Sequence, residues 1–446
     1  MDAPKVSYRR IFAISAPIML GSATQNVIAL SDSVFLYHRS ELEFAAIGFV
    51  SVFYLIIAAI GFGFSRGGQI LVARRHGADR LADIGHVFRS LLVFEVFLAL
   101  VLFLFMQFGS YYFFSLFVNS DAIFYKSLDY IYYRSYGVFF AFVGVSIVAL
   151  YAGIARTAFI IIDTIILAVV NIVLNYALIF GHFGAPEMGI KGAAIASSIA
   201  EAVALAVFVV YIVFDKKIRA YRLFTLPEID WELIRTQYKV SLPIVAQSIV
   251  GLGSWFLFFG IIENLGERAL AITNLGRIVY LALSIPCWGF AAGVNTLVSA
   301  ACGGDRKHFV VPITLKAAKL NFYSTMAFAL PILLFPGFFL YPLFGSEEVT
   351  LVADAQPVFY VILAILAAAT FGIMLFNGVV GTGATWYGLK MQFWAALGYV
   401  FLIYLVVEIL KLGLIWAWSV EILYWLIMAY ASWRYLRAGR WAQLEL

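Results

Sequence analysis

Long apolar runs separated by short polar stretches organise the whole chain, and they predict membrane-spanning helices at 11–36, 45–64, 87–108, 131–152, 158–180, 190–214, 240–263, 269–298, 316–341, 357–380, 386–410 and 413–433. Each run meets the roughly 20 helical residues that a hydrocarbon core of about 30 Å requires. The longest polar stretch, DKKIRAYRLFTLPEIDWELIRTQYK at 215–239, falls between the sixth and seventh runs. Its Trp231, Leu233, Ile234 and Tyr238 give it an amphipathic face suited to a membrane surface. The pattern therefore predicts an all-α membrane protein of twelve helices. Residues 1–214 form an N-lobe (helices 1–6), 215–239 a cytoplasmic linker and 240–446 a C-lobe (helices 7–12).

Composition agrees with lipid as the solvent. Apolar residues make up 64% of the 446 positions and charged residues 12%, against about 45–50% and 25% in soluble domains. The run starting at Ile11 is too long for a signal core and lacks a small-residue cleavage site, so it is expected to remain as the first span. Cys287 and Cys302 give neither a disulfide framework nor a zinc pattern. With the N-terminus in the cytoplasm, 22 of the 30 Lys and Arg fall in cytoplasmic segments and six in outer loops (Arg39, Lys126, Arg134, Lys191, Arg268 and Lys411). Arg66 and Arg277 lie within helices. The positive-inside rule then predicts a multi-pass protein of the cell membrane with both termini cytoplasmic. The basic excess is an orientation signal, and no nucleic-acid partner is expected.

The two halves repeat one another. A shift of 226 residues aligns Ser15-Ala16-Pro17-Ile18 with Ser241-Leu242-Pro243-Ile244 and Gly77-Ala78-Asp79-Arg80 with Gly303-Gly304-Asp305-Arg306. From Ser15 to Arg80 the gapless alignment holds 16 identities in 66 positions, including Pro, Gly and Asp-Arg in one register. The turn Gly153–Thr157 likewise matches Gly381–Thr385. Six spans between equivalent points give both halves the same orientation. The expectation is two six-helix lobes related by a pseudo-two-fold axis along the membrane normal, with a cavity between them that serves alternating access.

Charges inside spans are costly and are usually retained for function. Those assigned to the spans are Asp32, Asp163, Glu201, Arg277 and Glu421, with Arg66 and Glu408 near helix ends. Asp32 follows Pro17 by fifteen residues, with Gln25 and Asn26 between them, and Pro17 removes one helical hydrogen bond and marks a bend. Asn171 and Asn175 share a helix face, as do Ser197 and Glu201. Position alone leaves Asp32 balanced between an interfacial residue near the outer helix end and a functional one, and Ser197 between close packing and a ligand. Glu421 is the approximate counterpart of Glu201, and Arg277 requires a partner such as Glu263. No phosphate-binding glycine loop, paired metal-spaced histidines or nucleophile elbow occurs. The chain is thus expected not to be an enzyme, to need no cofactor or metal, and to draw energy from an ion gradient.

The Pro17–Asp32 spacing, GFGFSRGGQILVARRHGA, the GIART turn, NIVLNYALIFG and GAAIAS together resemble the multidrug and toxic compound extrusion (MATE) family. The resemblance spans essentially the whole chain. It implies a cation-coupled antiporter, expected to work as a monomer, that exports small organic solutes in exchange for protons or sodium. It makes Asp32 the first-helix coupling carboxylate, Asn171 and Ser197 its neighbours on the fifth and sixth helices, Tyr130 a fourth-helix tyrosine near the site, and Gln25 a cavity-lining position beside Asn26. Arg277 is a further cavity candidate and Pro17 the kink. Asn175 stands where some relatives carry a second carboxylate. Gly251 replaces a membrane Glu of one branch, and the tenth helix lacks that branch's acid. These departures leave the N-lobe as the coupling site, with Glu201 as a second acid. The lost carboxylate favours the proton over sodium, because a sodium ion asks for several oxygen ligands with enough charge to offset its dehydration. The alternative is a lipid-linked saccharide flippase of the same superfamily, for which a single deep Arg is a poor head-group site.

Overall fold

The computed structural model describes residues 7–118, 120–223, 230–339 and 349–444, apart from the side chains at 22–27, 29, 30 and 349. Helices carry nearly all of it, and no strand occurs among the described residues. Lipid offers no hydrogen bonds to a backbone, so an apolar chain satisfies its own N–H and C=O groups by coiling. In order, the helices are α1 (Tyr8–Arg39), α2 (Glu41–Gly77), α3 (Leu81–Phe114), α4 (Asp121–Arg134), α5 (Gly137–Gly153), α6 (Ala158–Phe180) and α7 (Ile190–Phe214). They continue with α8 (Trp231–Glu263), α9 (Glu267–Leu283), α10 (Ile285–Gly303), α11 (Val310–Leu334), α12 (Val349–Gly381), α13 (Thr385–Ile409) and α14 (Leu414–Ala438).

Ten of these helices are long and apolar enough to cross a membrane alone. The pair α4–α5, bent by 52°, makes an eleventh when taken as one span, and α1, with 32 residues, has the length for a further one. The exposed faces are apolar: Phe97, Val101, Leu104 and Phe108 form one stripe of α3, while Leu91, Ala99, Leu102 and Met106 are buried on its other side. A stripe of that kind belongs against acyl chains. Residues 231–239, assigned to the linker from sequence, are instead the first turns of α8, continuous with the span.

The chain divides into two compact units, Leu20–Val245 and Met1–Met19 with Ala246–Leu446. The division passes through α1 after Met19 and through α8 after Val245, positions 226 apart, each two residues beyond Pro17 or Pro243. In the first unit α2 packs on α3 and α5, α3 on α5, and α7 on α5 and α6. The same pairings recur in the second: α10 with α11 and α12, α11 with α12, and α14 with α12 and α13.

Details of the backbone repeat with them. Asp79 and Asp305 both take left-handed conformations (φ 60° and 53°) after α2 and α10. The next amide reaches five residues back in each case, Arg80 N–H to the Arg75 carbonyl (3.0 Å) and Arg306 N–H to the Ala301 carbonyl (2.9 Å), which closes the helix end. Ala155 and Gly383, two residues into the matched turns, are also left-handed (φ 56° and 89°). Close approaches correspond as well: a Cβ on Gly67 would strike Ser241, and one on Gly293 would strike Ser15. Small residues of this kind let membrane helices pack at backbone distance.

Candidate functional site

Five helices of the Leu20–Val245 unit converge on Asp32, which is buried in the second half of α1. On α7, Gly192 leaves no room for a side chain against the Leu178 carbonyl (2.6 Å to an added Cβ), and Ala193, Ala194 and Ala196 extend a small-residue face. That face brings α7 close to α6 and places Ser197 beside Asn171. Asn171 Nδ2 donates to Ser197 Oγ at 3.0 Å, and Ser197 Oγ donates to Asp32 Oδ2 at 3.2 Å. Asn175, one turn along α6, donates through Nδ2 to Asp32 Oδ1 (2.5 Å) and Asn171 Oδ1 (3.1 Å). Both carboxylate oxygens thus accept from neutral donors. Asn175 Oδ1 is buried with no donor facing it.

A charged pair adjoins this cluster. α4 ends at Arg134, and the 52° bend into α5 turns that end inward. Arg134 grips Glu201 with two bonds, Nη1 to Oε2 at 2.7 Å and Nη2 to Oε1 at 2.5 Å. Its guanidinium also lies over the Tyr54 ring of α2, 4.1 Å from the centroid. Gly137 makes the pair possible, since a Cβ there would meet Arg134, Glu201 Oε2 (2.7 Å) and Ser198 Oγ (2.8 Å). Tyr130, one turn before Arg134, is buried and senses the charges of Asp32, Arg134 and Glu201. Asp32 in turn feels the positive charge of Arg134.

The sequence-derived set therefore divides. Asp32, Asn171, Asn175 and Ser197 form one hydrogen-bonded cluster, with Tyr130 and Glu201 beside it. Glu201 faces the interior of its unit, as its cost in lipid led us to expect. The Gln25 and Asn26 side chains lie outside the described residues. Pro17 and Arg277 belong to the other unit. Arg277 does not pair with Glu263, which is exposed at the end of α8; its guanidinium lies 5.4 Å from the Phe259 ring. Arg134, assigned from sequence to an outer loop, is buried. Its helix carries Asp121, Lys126 and Asp129, and that polarity disguised its last turn. Glu95 also escaped the sequence reading. It is fully buried on α3 and accepts from Ser65 Oγ at 2.8 Å. An acid in the middle of an apolar run was the available signal.

Glu421 needs a different counterpart. α7 begins at Ile190 and α14 at Leu414, and the buried positions of α14 (417, 418, 420, 421, 428, 432 and 436) fall on those of α7 after subtracting 224. Glu421 therefore corresponds to Ser197, and Trp425 to Glu201. The connection before α7, through Gly181 and Gly189, is longer than the one before α14, which shifts the register.

The comparisons with known proteins converge on one family. Residues 17–177 match the MatE family model. A protein of Thermotoga maritima named "Probable multidrug resistance protein NorM" is 25% identical over 75% of this chain and 72% of its own length. One of the same name from Aromatoleum aromaticum is 24% identical over 64% of each chain, so the match spans just under two thirds of that relative. The fold matches a structure described as an "Outward-facing conformation of a multidrug resistance MATE family transporter of the MOP superfamily" with a TM-score of 0.88, at 20% identity, over 97% of this chain and 95% of that one. The sequence motifs, the repeated units and these matches agree, and the chain is similar to the MATE family of membrane transporters in the sequence of residues 17–177 and in fold over nearly its whole length.

Proposed function

We propose that the protein exports small organic solutes across the cell membrane in exchange for protons, as a monomer without a cofactor, with Asp32 as the coupling carboxylate. The observation that carries this reading is the wholly neutral donor set around Asp32, supplied by Asn175 and Ser197 and steadied by Asn171. A sodium ion needs several free hard oxygens to replace its water. A proton needs one carboxylate whose affinity changes with hydration and hydrogen bonding. Asn175 is suited to register that change. Its amide donates to Asp32 now, and its unpartnered Oδ1 supplies the acceptor that a protonated Asp32 requires once the amide turns over. Exchange of donor for acceptor at this contact would loosen α1 from α6, and Pro17 gives α1 a weak point in its hydrogen-bond ladder. Drug-like solutes are the proposed cargo because the relatives are named as multidrug resistance proteins.

The test is export from proteoliposomes under separately imposed proton and sodium gradients, against a panel of organic cations and neutral drugs. Export that follows the proton gradient and ignores sodium supports the proposal. Export driven only by sodium, or the absence of gradient-driven export for every solute, contradicts it.

A further inference from the structure

Arg134 and Glu201 are not needed for the hydrogen bonding of Asp32, yet they lie beside it, Arg134 buried and Glu201 partly so, where an ion pair is expensive to maintain. The groups that face this region are Asp32 from α1, Tyr54 from α2, Tyr130 and Arg134 from α4, Asn171 and Asn175 from α6, and Ser197, Ser198 and Glu201 from α7. Two are carboxylates and one is a cation. With Asp32 ionised the group keeps one net negative charge, which a single proton removes.

We propose that Arg134 is the residue that determines ion specificity: by occupying both oxygens of Glu201 it withholds from the Asp32 site the second carboxylate that a sodium ion would need. This rests on the reading of Asp32 as the coupling group. The oxygens close to Asp32 support it, because nearly all are already engaged. Ser197 Oγ and Asn171 Oδ1 accept hydrogen bonds, both Glu201 oxygens face the guanidinium, and Asn175 Oδ1 alone in this set has no donor. One free carbonyl is too little to strip water from a hard cation. Ser197 and Glu201 are one turn apart on the same face of α7, so a Glu201 released from Arg134 lies within side-chain reach of the Asp32 cluster. The Tyr54 ring and the cleft left by Gly137 hold the guanidinium in its bidentate pose, and an Arg rather than a Lys is needed to engage both oxygens.

The experiment compares the full-length parent with Arg134→Gln, Arg134→Lys and the double variant Arg134→Gln/Glu201→Gln. The first readout is the thermal unfolding midpoint in sodium chloride against choline chloride at equal ionic strength. The parent is expected not to distinguish the two salts, whereas Arg134→Gln is expected to rise by about 2 °C or more in sodium, since a ligand that binds only the folded state stabilises it. Arg134→Lys, which frees one Glu201 oxygen and retains the charge, should show a smaller rise and serves where Arg134→Gln inserts poorly. The double variant should show none. In proteoliposomes the single Gln variant should gain a response to sodium gradients that the parent lacks. A parent already stabilised by sodium, single variants that stay indifferent to it, or a Gln variant that takes up a second proton instead, would overturn the proposal. Asp32→Asn, run in parallel under a proton gradient, separates the failures. If it abolishes export while no Arg134 variant gains sodium sensitivity, only the role of Arg134 falls. If it exports normally, the coupling site itself has been misassigned.

Discussion

The two units are built on the same helix pairings, and their centres carry opposite chemistry. A shift of 226 places Phe258 where Asp32 stands and Tyr280 where Tyr54 stands; a shift of 228 places Tyr399 at Asn171 and Ile403 at Asn175; a shift of 224 places Glu421 at Ser197 and Trp425 at Glu201. One contact persists in altered form: Asn171 donates to Ser197, and Tyr399 donates through its hydroxyl to Glu421 at 2.8 Å. Around that contact the Leu20–Val245 unit gathers amides and a carboxylate. The other gathers rings, with Phe258 5.3 Å from Trp418 and 6.3 Å from Tyr399. The backbone devices, namely the left-handed helix ends and the glycine seams, have stayed fixed while the interior diverged. Packing constrains where the helices lie, and it leaves open which side chain meets which at the centre.

If the polar centre depends on its ion pair, Arg134→Ala should have the largest effect on stability. It leaves the partly buried Glu201 unpaired, at a cost approaching the roughly 3–5 kcal/mol of a broken buried pair. Ile362→Ala at the corresponding level of α12 removes only apolar contacts and should cost about 2–4 kcal/mol. Thermal unfolding in one detergent compares the two, and an Arg134 variant as stable as the parent would remove the pair from the account.

The seams provide a finer comparison. At Gly67 an added methyl meets Ser241 Cβ at 2.8 Å and Cα at 2.9 Å, so the backbone of α8 must shift. At Gly293 the neighbour in the way is the Ser15 hydroxyl, with Ser15 Cβ at 3.4 Å, and a rotation clears it. Gly67→Ala is expected to lose about 1–3 kcal/mol and Gly293→Ala much less. Equal losses would mean that the seams are not sensitive to backbone approach.

The smallest effect should also be the most symmetric. Asp79 and Asp305 hold left-handed conformations that disfavour a Cβ, so Asp79→Gly and Asp305→Gly should each stabilise by under about 1 kcal/mol, and by similar amounts. Divergent signs would show that the two helix ends are not equivalent.

Much of this was legible in the sequence, because a membrane enforces long apolar helices and a duplication preserves Pro, Gly and Asp at constant spacing. Spacing of i,i+4 was enough to put Asn171 and Asn175 on one helix face, whereas the meeting of Asp32 with Asn171 and Ser197 was legible only through the family resemblance. What escaped depended on contacts between distant segments. Arg134 follows a polar first turn and resembles a loop residue until the bend at α4–α5 turns it inward. The partner of Arg277 was sought by charge, whereas the fold brings it to the Phe259 ring. The counterpart of Glu421 was misplaced because connections of unequal length precede the last helix of each half.

The central claim is that the amide-ringed carboxylate couples transport and the ring-enclosed one does not. It is tested most directly by proton-driven export in proteoliposomes containing equal amounts of folded Asp32→Asn or Glu421→Gln. We expect Asp32→Asn to insert normally and lose gradient-driven export entirely, and Glu421→Gln to keep most of it, because Tyr399 can still donate to the amide oxygen. Full export by Asp32→Asn, or its loss in Glu421→Gln with Asp32 intact, would contradict the account.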